Sequence, residues 1–236
     1  MIRTGLLLGV AGALLLAAGP LGTRAGLWPF LVGFLLVALS LVLGLAGGSV
    51  CLAGGLRSGQ WGMALAGIGL CVAVAGVPSA AILAARGTPP INDITTDPDD
   101  PPPFEAVVPL RAGGNTAEYG GAEVAAQQRR AYPDIEPVVL PLAPEAAFAR
   151  VLGVIRERGW TVAASDASSG RIEAVDTTFW FGFEDDVVVR LRPAEGGTRV
   201  DVRSSSRVGI GDMGTNARRV RELIGRVRET AGTSDQ

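Results

Sequence analysis

The stretch EDDVVVRLRPAEGGTRVDVRSSS (residues 184–206) predicts a β-hairpin. Apolar and charged residues alternate on both sides of a Gly-Gly pair, and a period of two is typical of strands with one buried face. Glycine pairs suit two-residue hairpin turns because glycine adopts positive φ without strain. The stretch therefore predicts an antiparallel sheet at the centre of the C-terminal half of the chain.

A turn at Gly196-Gly197 fixes the pairing of the two strands. It places Leu191 opposite Val202 on the buried face. The other face then carries charged pairs, which are Asp186 with Arg207, Arg192 with Asp201, and Arg190 with Arg203, with Glu173 beside Arg190. Three interpretations stay open: a solvated ladder of charges on an open sheet face, a basic spot that accepts an anionic ligand group, or a shifted register.

The segments around the hairpin give the order β-α-β-β-β-β-α. Strands are predicted at PVVLPL, WTVAAS, GRIEAVDTTFW, EDDVVVRLRP and GTRVDVRSSS, and helices at APEAAFARVLGVIRERG and residues 215–229. Both helices carry apolar residues at i, i+3, i+4 and i+7, so each has one buried face. We therefore predict an α+β fold, an antiparallel β-sheet domain with two main helices on one face. A short additional helix is expected at 121–131.

The first 90 residues contain four arginines and no acidic residue, whereas the rest carries a net charge of −6. Three apolar runs, at 5–21, 27–53 and 61–85, are long enough to predict transmembrane helices. The first run is also compatible with a cleaved signal peptide. No ionisable side chain lies inside a run, so the spans indicate an anchor and not a transporter. The predicted domains are a 1–86 transmembrane anchor, an 87–136 linker that is partly docked, and a 137–236 α+β soluble domain.

Arginine positions indicate the orientation of this anchor. With three spans, Arg3 and Arg57 lie on the side of the amino terminus, and Arg24 and Arg86 lie on the other side. The positive-inside rule then favours a cytoplasmic amino terminus. We expect a multi-pass protein of the cytoplasmic (inner) membrane, whose soluble domain lies in the cell envelope on the extracytoplasmic, periplasmic side.

Small residues recur in the spans at a spacing that permits close helix packing. Gly5/Gly9 and Gly44/Gly48 have GxxxG spacing. This spacing indicates either packing against a partner helix or the chance result of a glycine-rich composition.

The linker RGTPPINDITTDPDDPPPF (residues 86–104) contains six prolines and four aspartates. This proline density excludes a helix and favours an extended chain. Two interpretations are equally compatible with it. The segment is a stiff spacer, or INDITTD docks on the domain as an edge strand.

Composition excludes several classes of chemistry. The chain has no histidine and no lysine, and its two cysteines, Cys51 and Cys71, lie in apolar runs, where they are expected to be small buried side chains. The soluble domain therefore lacks the usual ligands for zinc or haem and the usual Cys or His catalytic groups. We predict no metal site, no cofactor and no catalytic residues. The −6 balance disfavours nucleic acid as a partner.

Two unusual segments are predicted to meet at one end of the sheet. TTFWFGFEDD (177–186) packs four aromatics around Gly182, and RSSSRVGIGDMGTN (203–216) is a polar, glycine-rich corner before the last helix. Asp212, Thr215 or Asn216 is expected to cap that helix. The aromatics are expected either to pack in the core or to contact a ligand or the membrane. The predicted ligand-binding residues are Arg190, Arg203, Ser204, Ser206, Arg207, Asp212, Asn216, Trp180, Phe183, Asp185 and Asp186.

These two segments, together with INDITTDPDDPPPF, resemble the family known as domain of unknown function 1499. The resemblance covers roughly residues 89–229, and members often carry amino-terminal membrane helices. It implies that the matching positions form one unit and implies no reaction. The matching positions are Asp93, Thr96, Asp97, Pro102, Phe104, Phe183, Asp185, Asp186, Arg190, Arg203, Ser204, Ser206, Arg207, Gly209, Asp212, Gly214 and Asn216.

Two classes of function remain from the sequence. The favoured one is a membrane-anchored, non-catalytic domain that binds a lipid, an anionic ligand or a larger membrane-protein complex as an accessory subunit. Besides the lipid bilayer, its partners include such a complex or a homo-oligomer. The alternative is a hydrolase or transferase at the membrane surface that uses the carboxylates Asp185, Asp186 and Asp212, with or without a divalent metal ion.

Overall fold

The computed structural model describes residues 1–232 and divides the chain into two compact units. The first comprises Met1–Arg86 and Phe179–Gly182, and the second comprises the remaining residues from Gly87 onward.

Three helices form most of the first unit. They are α1 (Ile2–Arg24), α2 (Phe30–Ser58) and α3 (Trp61–Ala85). All three are long and apolar enough to cross a membrane, so three long apolar helices are confirmed where the sequence predicts them. α1 extends beyond the predicted 5–21 run and continues through Pro20. In an apolar stretch, the loss of one amide at proline costs less than leaving a whole turn without backbone hydrogen bonds.

Glycines bring these helices into close contact. Gly5 lies against Gly47 and Cys51 of α2, and Gly9 lies against Cys71 of α3. Gly44 lies against Cys71 and Ala75. Both GxxxG pairs are therefore used for packing within the chain, which was not among the two interpretations above. Cys51 and Cys71 are free and buried, as predicted.

A six-stranded antiparallel sheet forms the centre of the second unit. Its strands are β1 (Asp93–Thr95), β2 (Val138–Leu140), β3 (Thr161–Asp166), β4 (Arg171–Thr177), β5 (Glu184–Ala194) and β6 (Gly197–Ser206). The spatial order is β1-β6-β5-β4-β3, and β2 also pairs with β6. Both β1 and β2 therefore lie along the same edge of β6.

The helices of this unit are α4 (Gly121–Ala131), α5 (Pro144–Glu157) and α6 (Thr215–Gly232), with a 3-10 helix at Val108–Arg111. α5 and α6 pack on one face of the sheet and share its main apolar core. That core includes Val187, Val189 and Val202 from β5 and β6. The α+β fold, the two helices on one face and the short helix at 121–131 are thus confirmed.

The predicted hairpin register is wrong by two residues. Leu191 pairs with Val200, and the turn is Glu195-Gly196 because Ala194 pairs with Gly197. The positive φ that the turn needs comes from Gly196. Gly197 instead begins β6 at a point where a Cβ would clash with the Leu140 carbonyl of β2. The second glycine of the pair therefore allows strands to approach closely and does not form the turn.

The segment INDITTD docks on the sheet, which decides between the two interpretations of the linker. β1 pairs with β6, and Ile91 and Ile94 enter the main core. Gln128 of α4 bonds both the amide and the carbonyl of Thr95, at 3.0 Å and 2.6 Å. α4 therefore holds β1 in place.

The face of the sheet opposite α5 and α6 is covered. Phe104 and Val107, from the segment after β1, pack on Val175 of β4 and Val188 of β5. This finding excludes one of the three interpretations, the solvated charge ladder on an open face, and the shifted register is the one that the structure shows. The sequence between 97 and 119 has no periodicity, so its cover of the sheet was not predicted.

Candidate functional site

The predicted arginine row is a buried network of ion pairs. Arg203 is 1% exposed, and its Nε and Nη2 donate to the two carboxylate oxygens of Asp93 at 2.9 Å and 2.7 Å. Its guanidinium lies 4.5 Å from the centre of the Phe104 ring and 5.5 Å from that of Tyr119. A bidentate pair between two rings holds this guanidinium in one orientation.

Asp201 of β6 accepts hydrogen bonds from three further arginines. Arg190 and Arg192 donate to its Oδ2 at 3.1 Å and 2.8 Å, and Arg199 donates to its Oδ1 at 2.8 Å. In the observed register Arg190 lies opposite Asp201, so the predicted pairing with Arg203 is corrected. Arg190 also reaches Asp100, and its charge lowers the pKa of that carboxyl below the usual range.

Asp186 is the third carboxylate on this face that binds arginines, after Asp93 and Asp201. It is fully buried and accepts from Arg111 at 2.6 Å and from Arg207 at 2.8 Å. Arg207 also pairs with the exposed Glu184. The hydrogen bond to Asp186 raises the pKa of Arg207.

Asp185 lies on the other face, because successive strand residues point to opposite sides. Its Oδ2 accepts from Arg219 Nη2 at 2.6 Å, while Arg219 Nε donates to Asp176 at 2.7 Å. Arg219 Nη1 donates to Asn216 Oδ1 at 2.6 Å, and Ser204 Oγ donates to the same oxygen at 2.6 Å. Asp185 and Asp186 therefore belong to two separate networks.

The glycine-rich corner begins α6, as predicted for a cap. Asp212 accepts from the backbone amides of Gly214 at 2.9 Å and Asn216 at 2.5 Å. Burial raises the pKa of Asp212 above its usual range, although these two hydrogen bonds lower it. The Asn216 side chain donates to Ser206 Oγ at 2.8 Å. Asp212 and Asn216 thus hold the corner and the helix start together.

Residues 93–227 match the model of a family described as "Protein of unknown function (DUF1499)". This match begins at the first residue of β1, ends inside α6 and covers more than half of the chain. The chain belongs to the DUF1499 family. The resemblance seen in the sequence is thereby confirmed. No curated protein sequence matches the chain.

Two charged residues of the DUF1499 domain, Arg219 and Arg111, were missed from the sequence. A third, Glu173, was expected beside Arg190, but it pairs with Val188. Arg219 lies four residues before Leu223 on the apolar face of α6, and a charge on a buried face is a signal that could have identified it. Glu173 is fully buried and accepts the amides of Glu105 and Val107. Arg111 lies in the aperiodic segment, where no sequence pattern indicates its contact with Asp186.

The aromatic loop is divided between the two units. Phe179 and Trp180 are 74% and 62% exposed, and their rings meet edge-to-face at 5.0 Å. Arg24 Nη1 donates to the Phe179 carbonyl at 2.7 Å, within the first unit. Phe183 belongs to the second unit, where its amide donates to Thr178 Oγ1 at 2.8 Å. Arg207 N donates to the Glu184 carbonyl, so the corner adjoins the start of β5 as predicted.

Ten of the eleven predicted site residues are thus hydrogen-bonded, capped or ion-paired within the DUF1499 domain, and Trp180 is exposed in the first unit. Ligand binding at these residues stays a prediction. Within residues 1–232, no group of three or more Asp, Glu or Cys side chains is arranged to hold a metal ion.

Proposed function

We propose that this protein is a membrane-anchored, non-catalytic DUF1499 domain that binds lipid or a membrane-protein complex as an accessory subunit. Internal pairing of the charged residues at the predicted site supports the non-catalytic part of the proposal, and the exposed corner before α6 carries the binding part. Arg190, Arg203 and Arg207 each bond a carboxylate of the domain itself. An anionic ligand would have to displace those carboxylates, so free anions are the least supported of the partners that the sequence leaves open.

The alternative of a carboxylate-dependent hydrolase or transferase has less support. Asp185 and Asp186 point to opposite faces and bond Arg219 and Arg111, respectively. Asp212 accepts two amides at the start of α6. Paired-carboxylate catalysis needs two such groups to face one substrate, and these three do not converge.

The corner before α6 supports a binding role. Ile210 is 84% exposed and Met213 is 54% exposed. Met213 also has a φ of +54°, a conformation that costs a non-glycine residue about 1 kcal/mol or more. Strained backbone is found most often at functional sites, so the strain at Met213 next to exposed apolar side chains favours contact with a partner.

Chain connectivity relates this corner to the membrane. Gly211 lies against Pro90, and the Asn92 side chain donates to the Gly209 carbonyl. Pro90 follows the end of α3, at Ala85, by five residues, so at most about 18 Å of chain separates them. We therefore expect the partner of the corner to be a lipid or a membrane protein.

Site-specific photo-crosslinking of the full chain in its native membrane tests this role. A photoreactive phenylalanine analogue at Ile210 is expected to give lipid or protein adducts. The same analogue at Glu195, an exposed residue in the turn at the other end of β5 and β6, is expected to give none. Equal adducts at both positions, or none at position 210, would contradict a binding role for the corner.

We further propose that the DUF1499 domain lies on the extracytoplasmic side of the cytoplasmic membrane. Arg3, Arg57 and the amino terminus on one side support this orientation through the positive-inside rule. Alkaline phosphatase fused after residue 236 is expected to be active, and a fluorescent protein that folds only in the cytoplasm is expected to stay dark there. The reverse pattern would place the domain in the cytoplasm.

A further inference from the structure

A cleft of about 550 Å³ lies between α4 and the chain that follows the last membrane helix. It belongs entirely to the second unit. Its lining consists of Gly87, Thr88, Pro89, Glu123, Ala126, Gln127, Arg130 and Ala131. Neither the ion-pair networks nor the corner described above includes these residues.

Two opposite charges line this cleft without meeting each other. Glu123 and Arg130 are exposed, and neither forms an ion pair or hydrogen bond within the part of the chain described here. They lie seven residues apart on one face of α4, which corresponds to about 10 Å along the helix axis. Direct pairs on a helix form at spacings of three or four residues, so a ligand is needed to join these two charges.

The residues between the two charges suit a polar ligand. Ala126 has a short side chain that leaves the space open, and the Gln127 amide provides both donors and an acceptor at the cleft wall. The cleft carries one positive and one negative side chain, so its charges match a ligand of no net charge that has an anionic and a cationic end.

The position of the cleft indicates where such a ligand comes from. Gly87 follows Ala85, the last residue of α3, by two residues. This is at most about 7 Å of extended chain. One wall of the cleft therefore begins within a short length of chain from a helix that is long and apolar enough to cross a membrane.

We propose that this cleft binds the headgroup of a zwitterionic phospholipid with a primary ammonium group, the phosphoethanolamine type. Arg130 binds the phosphate oxygens, since a guanidinium donates two parallel hydrogen bonds to phosphate. Glu123 accepts from the ammonium, and the Gln127 amide bonds either end. This inference rests on the proposed function only in taking its ligand from the bilayer.

The proposal distinguishes between headgroups. A choline headgroup has the same charges but no N–H to donate to Glu123. A glycerol headgroup has the phosphate but no cation. The cleft is therefore expected to bind the ethanolamine lipid best.

Native mass spectrometry of the full chain in detergent, with defined lipids added, tests the inference. With phosphatidylethanolamine we expect at least a threefold higher bound fraction than with phosphatidylcholine or phosphatidylglycerol. Arg130→Ala is expected to remove this excess, and Glu123→Gln to bring the ethanolamine and choline lipids to the same level. Arg156→Ala, the same change at an exposed arginine of α5 outside this cleft, is expected to change nothing.

Three outcomes would overturn the inference. They are equal binding of the three lipids, an unchanged preference in Glu123→Gln, and binding of soluble glycerophosphoethanolamine without any binding of the lipid. If the headgroup preference is absent but adducts still form at position 210, the proposed role of the cleft is wrong and the role of the corner stands. If the headgroup preference is present but no adducts form at position 210, the proposed role of the corner is wrong and the role of the cleft stands.

Discussion

The variant Arg203→Met is expected to lower the free energy of unfolding of the DUF1499 domain by about 3–5 kcal/mol. Arg203 and Asp93 are both buried, and the pair has two hydrogen bonds, at 2.9 Å and 2.7 Å. Methionine fills much of the same volume but leaves the buried Asp93 carboxyl without its partner. The Pro102 and Ala117 carbonyls also lose their donor. Leaving a buried charge unpaired costs more than forming the pair gains.

Thermal unfolding of the full chain in detergent, followed by tryptophan fluorescence, measures this effect. A loss of this size corresponds to a fall of about 10–17 °C in the midpoint for a domain of this length. Arg226→Met removes an exposed arginine that is 3.9 Å from Glu229, and we expect it to change stability by no more than about 0.5 kcal/mol. The double variant Asp93→Asn/Arg203→Met is expected to recover part of the loss. A midpoint that Arg203→Met leaves unchanged would show that the pair does not hold β1 to the sheet.

The sequence identifies the elements of this fold because each has a strong local pattern. The alternation in β5 and β6 and the apolar spacing in α5 and α6 each reflect one buried face, and the structure confirms them. The hairpin register did not follow from the Gly-Gly pair, because Gly197 is required by the approach of Leu140 from a distant strand. A contact between residues that are distant in the sequence leaves no pattern in the residues around Gly197, so it could not be predicted.

The candidate site was harder to predict for the same reason. Polar residues at the end of β6 were found from composition, but their partners come from distant segments. Asp186 pairs with Arg111, which is 75 residues away, and Arg203 pairs with Asp93, which is 110 residues away. Without knowledge of these partners, a row of arginines resembles an anion site. With the partners in place, the row is part of the interior of the domain.

The unit of three apolar helices offers the second large effect, because Gly5 lies where α1 and α2 touch. A Cβ at Gly5 would lie 2.7 Å from the Gly47 carbonyl oxygen and 2.9 Å from the Cys51 amide nitrogen, and closer still to Cys51 Sγ. Two of these neighbours are backbone atoms, which cannot move aside as a side-chain end can. Gly5→Leu is therefore expected to separate α1 from α2.

The thiol of Cys51 reports this separation directly, because it is fully buried beneath Gly5. Labelling of the full chain with a membrane-permeant maleimide, read by mass spectrometry, is expected to be at least tenfold faster at Cys51 in Gly5→Leu than in the unaltered chain. Gly69→Leu is the matched control, since a Cβ at Gly69 in α3 meets nothing within 4 Å, and its labelling rate is expected to be unchanged. If both variants label at the rate of the unaltered chain, close contact at Gly5 does not hold α1 to α2. If both label faster, added bulk anywhere in this unit loosens it and the glycine contact has no special role. Only a change confined to Gly5→Leu assigns the packing of this unit to the small residues that line α1.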